Sequence, residues 1–168
     1  MSVITDARVT APAHHDDAGT APTIQACAQA VTALARRRLL AMVEPLPYTR
    51  DSTGSQVLLK DAESLSRAVT VASALGTSSA YTWLKMPACE EPDVVFAATT
   101  LPCVVLGGAP GPDLEADLAS WGRTLRCRVV RGLVVGRSLL YPPDGDVAGA
   151  VDAAAKVLRA ATEEATAP

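Results

Sequence analysis

Four apolar segments alternate with segments of helical periodicity, and this alternation constrains the fold more than any other feature of the sequence. The apolar segments are residues 39–46, 80–87, 101–108 and 129–141. Strands that are apolar throughout are typical of a parallel sheet covered on both faces, or of a barrel wall. Alternation of strand and helix predicts helical crossovers between parallel strands. The predicted fold class is therefore α/β.

Apolar residues recur at helical spacing in one segment before the first strand and in one segment after each strand. These predicted helices are residues 20–38, 61–76, 92–99, 113–125 and 146–160. Thr20 and Asp61 are the expected N-caps of the first two helices, and the polar segment 48–60 is predicted to be a long loop. The sequence therefore predicts about four β/α units, preceded by one helix.

The predicted domain organisation has one folded region between two polar ends. Residues 1–18 show no sustained periodicity and are predicted to be a disordered leader. Residues 19–160 carry all the predicted helices and strands and form the one predicted domain. Residues 161–168 are predicted to be a disordered tail.

Charge and composition argue against several classes of partner. The net charge of −3 argues against a surface for nucleic acid or an anionic membrane, and no apolar run approaches the length of a membrane span. The four cysteines are scattered and include no C-x-x-C pair, so neither a zinc site nor a disulfide framework is expected. His14 and His15 lie in the polar leader and are expected to be bystanders. We therefore expect a reduced, cytoplasmic protein.

Lys85 is the first candidate catalytic residue, because it stands alone near the carboxyl end of the second apolar segment, just before Pro87. In a parallel barrel the carboxyl ends of the strands meet at one rim, where active sites are built. A lysine there can attack a carbonyl carbon, and Glu44 at the end of the first segment can move protons. The alternatives are that Lys85 is a solvated strand cap and that Glu44 is an ordinary strand-end charge.

The ends of the last two strands carry a pattern that suits a phosphate group. Glycines let backbone N–H groups approach an anion, and an arginine adds a forked donor. The residues concerned are Gly107, Gly108, Gly136 and Arg137. The alternatives are that the paired glycines form only a tight turn, and that the arginine pairs with Asp144 or Asp146.

Four strings in the sequence carry a resemblance to a known family: AMVEPLPY, SAYTWLKMP, TTLPCVVLGG and GLVVGRSLLYPPDGDV. They resemble the C-terminal half of the class I, Schiff-base aldolases of (β/α)8 fold. That group includes deoxyribose-phosphate, tagatose-bisphosphate, sulfofructose-phosphate and class I fructose-bisphosphate aldolases. The nearest resemblance is to Cgl0159-like actinobacterial proteins, often labelled deoxyribose-phosphate aldolase, and it runs from about Asp16 to Ala160.

The resemblance implies roles for the candidate residues. The sixth strand of such aldolases supplies the imine-forming lysine, at the position of Lys85. Tagatose-bisphosphate-like members have an acid/base glutamate at the end of the fifth strand, at the position of Glu44. Fructose-bisphosphate-like members have a tyrosine there, so this chain departs from them. The last two strands of the family bind the substrate phosphate, at the positions of Gly107, Gly108, Gly136 and Arg137. No metal or cofactor is implied, because the imine itself is the electron sink.

The implied activity is that of a class I aldolase, a lyase that cleaves a phosphorylated sugar or sugar acid through a Schiff base. Only four strands are predicted, and they correspond to strands five to eight of the family, whose complete barrel has about eight. The resemblance therefore implies that residues 19–160 form half of a (β/α)8 barrel, a partial TIM barrel of about four β/α units preceded by one helix. Because strands one to four of the family have no predicted counterpart here, we expect this chain to be inactive alone. For the same reason we expect the chain to form a homo-oligomer or to be complemented by another half barrel. The alternative function is a non-catalytic remnant, or a dimerising module that binds phosphate ligands.

Overall fold

The computed structural model describes residues 19–108, 111 and 113–166. The predicted leader and the last two residues of the predicted tail lie outside the described residues. The strands are β1 (Ala41–Val43), β2 (Tyr48–Arg50), β3 (Gln56–Leu58), β4 (Thr82–Pro87), β5 (Cys103–Leu106) and β6 (Val130–Val134). The helices are α1 (Thr20–Arg36), α2 (Ala62–Ser73), α3 (Pro92–Phe96), α4 (Leu114–Leu125), α5 (Arg137–Leu140) and α6 (Val147–Thr166).

Strands β1, β4, β5 and β6 form one parallel sheet in that order, which confirms the predicted α/β class and partial barrel. The strand order follows the chain order, so successive right-handed crossovers lie on the same side of the sheet. Helices α2, α3 and α4 therefore cover one face. We call the opposite face the open face, and it carries Met42, Trp83, Lys85, Leu106 and Val134.

The core lies between the sheet and its helices. Leu84 and Met86 of β4 are fully buried, whereas Trp83 and Lys85, which alternate with them, are only partly buried. Helix α2 buries Leu65 and three further residues of the face predicted from its periodicity. Because successive side chains of a strand point to opposite faces, this burial pattern separates a well-packed helical side from a less covered open face.

Side-chain caps define where the helices begin. Asp61 accepts a hydrogen bond from the backbone N–H of Ser64 at 2.9 Å, as predicted for the N-cap of α2. Asp113 caps α4 in the same way. The prediction for α1 is wrong by one position, because the N-cap is Gly19 and Thr20 is already helical. The helix boundaries are therefore largely local properties of the sequence.

The fourth strand, predicted at residues 132–141 within the fourth apolar segment, is not continuous. Strand β6 ends at Val134 and the chain then forms the short helix α5. The Gly136 carbonyl accepts hydrogen bonds from the N–H groups of Leu139 and Leu140, each at 3.0 Å. An apolar run does not by itself distinguish a buried strand from a helical turn. Here the local hydrogen bonds to the Gly136 carbonyl stabilise the helical turn.

The segment predicted to be a long loop, residues 48–60, contains the antiparallel hairpin of β2 and β3. Its turn is built around Asp51, whose Oδ1 accepts N–H bonds from Thr53 at 2.8 Å and Ser55 at 3.0 Å. Gly54 supplies a φ of +83° in the same turn, which an L-residue adopts at a cost. The hairpin follows directly on β1, at the carboxyl edge of the sheet.

Helix α6 is longer than predicted, because it continues past Ala160 to Thr166 and so occupies most of the predicted tail. Ala161 is buried, and Glu164 forms an ion pair with Arg126 at 2.8 Å. These contacts hold the last turns of the helix against the rest of the protein. Although α6 is 20 residues long, none of the described helices is long and apolar enough to cross a membrane.

Candidate active site

Glu44 and Lys85 lie beside each other on the open face, where Glu44 directly follows the last residue of β1 and Lys85 lies within β4. Strands β1 and β4 pair in parallel with Val43 opposite Leu84, and Glu44 and Lys85 are the residues that follow this pair along the chain. Val43 and Leu84 are buried under the helices, and the alternation of side chains turns the next pair to the open face. The Lys85 Nζ and Glu44 Oε1 atoms form an ion pair.

This ion pair is largely removed from water. The side chains of Lys85 and Glu44 are 19% and 14% exposed, whereas those of the surface pair Arg67–Glu63 are 52% and 83% exposed. A partly buried pair is screened less by salt than a surface pair. Removing one partner of such a pair leaves an uncompensated charge in a poorly solvated place. The protein therefore maintains two opposite charges at a defined point of the sheet.

Lys85 lies near the carboxyl end of β4, as predicted, and the strand continues through Pro87, which was expected in the following turn. Lys85 is paired on its other side with Val104 of β5. Strand β4 is thus a central strand with a paired strand on each side. The backbone that carries the Lys85 side chain is therefore rigid. A rigid support is what a nucleophile needs if its attack geometry is to be reproducible.

The arrangement of amine and carboxylate defines what the site can do chemically. A lysine amine can add to a carbonyl carbon and form an imine. A carboxylate in contact with that amine can accept and return protons during the same reaction. The structure brings Lys85 and Glu44 together, and both groups needed for such chemistry come from this chain.

The loops after β5 and β6 are in direct contact with each other. The Gly107 carbonyl accepts a hydrogen bond from the Ser138 hydroxyl at 3.0 Å. A Cβ atom on Gly107 would overlap Val135, so glycine is required for this close approach. Ser138 is buried, and the sequence analysis missed it because no local pattern in residues 136–140 distinguishes a buried bridging serine from an exposed one.

The other three predicted phosphate residues lie on the same pair of loops. Gly108 has a φ of +73°, Gly136 is the N-cap of α5, and Arg137 is the first residue of that helix. Gly108, Gly136 and Arg137 are exposed. Among the described residues, no ion pair joins Arg137 to Asp144 or Asp146, so the guanidinium is not engaged by the carboxylates considered as alternatives.

Cys103 and Cys127 do not offer a second nucleophile near neutral pH. All four cysteines are buried thiols. Burial raises the pKa of Cys103 to about 12, and burial together with the nearby Asp93 carboxylate raises the pKa of Cys127 to about 11. Within residues 19–108, 111 and 113–166, no group of three or more histidine, cysteine or acidic side chains could hold a metal ion.

The parallel sheet of four strands, with its crossover helices on one side, defines a fragment of the TIM-barrel fold found in aldolases. The chain belongs to the Cgl0159-like family, whose model matches residues 3–155. No curated protein matches the sequence.

Solved structures give the extent of the similarity. The chain is 42% identical to Cgl0159 from Corynebacterium glutamicum, with a TM-score of 0.81 over 94% of this chain and 50% of that one. It is 17% identical to an archaeal fructose 1,6-bisphosphate aldolase, with a TM-score of 0.71 over 94% of this chain and 57% of that one. A Schiff-base-forming fructose-1,6-bisphosphate aldolase gives 17% identity and a TM-score of 0.69, over 93% and 57% of the two chains. The chain thus spans about half the length of these proteins.

Proposed function

We propose that this chain carries the Schiff-base machinery of a class I aldolase that cleaves a phosphorylated sugar or sugar acid in carbohydrate catabolism. The observation that carries the proposal is the ion pair between Lys85 and Glu44 on the open face of the sheet. The resemblance to the C-terminal half of such aldolases assigns the same two residues to the chemistry. A deoxyribose phosphate is one candidate substrate, because related Cgl0159-like proteins often carry that label.

In the proposed reaction the Lys85 amine forms a C–N bond with the substrate carbonyl carbon, and the oxygen leaves as water. Glu44 then takes the proton of the hydroxyl two carbons away, the C–C bond breaks and an aldehyde departs. The bonding electrons move to the iminium nitrogen, which leaves an enamine. Glu44 returns its proton to the enamine carbon, and water hydrolyses the imine to release the second product and Lys85.

The substrate phosphate would bind between the loops after β5 and β6. Gly108 and Gly136 leave their backbones accessible, and the exposed Arg137 supplies a cation with a forked donor. Gly107 has a structural role. Its carbonyl accepts the hydrogen bond from the Ser138 hydroxyl, and the absence of a Cβ lets the two loops approach each other closely. We further propose a cytoplasmic location, because buried thiols suit a reducing compartment.

The activity test is a cleavage assay on a panel of ketose, aldose and sugar-acid phosphates, with aldehyde release as the readout. The chain is assayed alone and after co-expression with the part of Corynebacterium glutamicum Cgl0159 that it does not cover. We expect cleavage that survives EDTA, is abolished by Lys85→Met and falls roughly 10²–10⁴-fold in Glu44→Gln. Loss of cleavage in EDTA, or an active Lys85→Met variant, would overturn the proposal.

A second candidate function is a phosphate-ligand binding module without catalysis. It is favoured by the exposed Gly108, Gly136 and Arg137, which all lie on the two contacting loops after β5 and β6. This candidate predicts phosphate binding that depends on Arg137, in the absence of any substrate cleavage under either condition of the assay.

A further inference from the structure

A cavity of about 530 Å³ lies at the edge of the sheet opposite Lys85 and Glu44. It is lined by parts of helix α3, of residues 97–100 before β5, and of residues 127–131 around the start of β6. The four strands are parallel, so their amino ends share this edge and their carboxyl ends share the other. The volume is within the usual range of ligand pockets, and a ligand here would not occupy the place of a substrate at Lys85.

Two arginines of this cavity have no counter-ion. Arg128 lies two residues before β6, Arg131 is the second residue of that strand, and both are exposed. Neither forms an ion pair within the part of the chain that the structure describes. Arg126, by contrast, pairs with Glu164 at 2.8 Å. Because each guanidinium offers a fork of N–H donors that matches phosphate oxygens, the two cations together suit a phosphate dianion.

A carboxylate lines the same cavity without pairing with either arginine. Asp93 of α3 is exposed, and its Oδ1 accepts a hydrogen bond from the Cys127 thiol at 3.7 Å. Among the described residues no ion pair joins Asp93 to Arg128 or Arg131, so charges of opposite sign line one cavity without direct contact. An ionised carboxylate can only accept hydrogen bonds. It therefore suits the hydroxyl groups of a ligand and disfavours a second anionic group.

The remaining wall of the cavity is partly apolar. Phe96 and Cys127 are buried, whereas Thr100 is exposed and adds a hydroxyl that can donate or accept. We propose that the cavity is a binding site for a phosphorylated polyol or sugar, whose phosphate lies between the two arginines and whose hydroxyl donates to Asp93. Its carbon skeleton contacts the apolar wall. The site is separate from the loops after β5 and β6, which are at the other edge of the sheet.

Glycerol 3-phosphate is the probe for the test, because it has a phosphate and hydroxyl groups but no carbonyl that could form an imine with Lys85. It is titrated into the full chain and followed by NMR. We expect the backbone shifts to centre on residues 97–100 and 127–131, and to be the same in Lys85→Met. Glycerol and inorganic phosphate should each bind roughly tenfold more weakly or less, because each lacks one set of contacts. Binding is the readout, so failure of the aldolase chemistry would not affect the result.

Matched arginine variants locate the phosphate. Arg131→Ala and Arg128→Ala should each weaken binding of glycerol 3-phosphate by about tenfold or more, since hydrogen bonds between charged groups are the strong ones. Arg123→Ala is the control, because that exposed arginine of α4 lines a different cavity. It should leave the affinity unchanged.

The Asp93→Asn variant separates recognition of a hydroxyl from simple attraction of an anion. The substitution removes a negative charge from the cavity, which favours both anions, but it also removes the charged acceptor that only glycerol 3-phosphate uses. The preference for glycerol 3-phosphate over inorganic phosphate should therefore fall several-fold.

Three results would overturn the proposal. Shifts confined to Gly108 and Gly136 would place the ligand at the other edge of the sheet. Equal losses of affinity in Arg123→Ala and Arg131→Ala would reduce the effect to general charge attraction. An unchanged preference in Asp93→Asn would show that the carboxylate does not recognise a hydroxyl.

Discussion

Glu44, the first residue after β1, and Lys85 of the neighbouring strand β4 form an ion pair whose side chains are only 14% and 19% exposed. Each residue follows a buried residue of the paired strands, Val43 or Leu84. The pairing of β1 with β4 therefore brings the two side chains together. The energetic and chemical expectations below follow from this geometry.

The ion pair should contribute measurably to stability. We expect Glu44→Gln and Lys85→Met each to lower the free energy of unfolding by about 1–3 kcal/mol, between the values for surface and fully buried pairs. The double variant should lose less than the sum of the two. Urea unfolding measures these values, and Glu63→Gln at the exposed pair is the control, with an expected loss below about 1 kcal/mol. Equal losses at the two glutamates would contradict the account.

The Asp61 cap should stabilise helix α2. Its carboxylate accepts the Ser64 N–H at 2.9 Å, so Asp61→Ala should cost about 1 kcal/mol. Asp61→Asn keeps an acceptor and should cost much less, which separates the hydrogen bond from other effects of the substitution. Thermal unfolding of the three proteins provides the measurement, and an Asn variant as unstable as the Ala variant would show that the hydrogen bond is not the cause.

The buried thiols should make the protein less stable at high pH. Burial raises the pKa of Cys103 to about 12, above its ordinary value of 9.0. A group whose pKa is raised by folding contributes stability that is present below the ordinary pKa and lost as the pH rises toward the folded pKa. The free energy of unfolding should therefore fall between about pH 9 and 12. Cys103→Ala should show a shallower decline, and an unchanged slope would rule out this thiol as its source.

The loops after β5 and β6 should bind inorganic phosphate weakly. Phosphate titration followed by NMR should shift resonances at Gly108 and Gly136, and Arg137→Ala should weaken the binding because a cation is lost. Added salt should weaken it as well. Arg131→Ala is the matched control, because that exposed arginine lines a different cavity, of about 530 Å³. Shifts centred on the arginines at 36–38 would move the anion site to the end of helix α1.

Much of the fold could be predicted from the sequence because buried parallel strands leave a strong local signal. The runs around Leu84 and Val105 are apolar throughout, and both residues are fully buried. The short helix that begins at Arg137 was mistaken for a strand because its apolar residues continue the run of β6. The hairpin was missed because its register depends on pairs such as Tyr48 with Leu58, which no single-residue preference encodes.

The site could be predicted only in part. Lys85 and Glu44 were found because charged residues stand out in apolar strands, but their direct contact depends on the register between β1 and β4. Ser138 could not be found, because its hydrogen bond to the Gly107 carbonyl joins loops 31 residues apart in sequence. Long-range register and loop contacts are products of tertiary packing, and local sequence patterns do not contain them.

Reductive trapping tests the central claim most directly, since it identifies the amine that forms the imine. The chain, alone and after co-expression with the part of Corynebacterium glutamicum Cgl0159 that it does not cover, is incubated with dihydroxyacetone phosphate and sodium borohydride, and its peptides are mapped by mass spectrometry. The protein has three lysines, so Lys60→Arg and Lys156→Arg serve as controls that should leave the label in place. The account predicts one stable adduct on the peptide containing Lys85, lost in Lys85→Met. Labelling of Lys60 or Lys156 with Lys85 unmodified would contradict it.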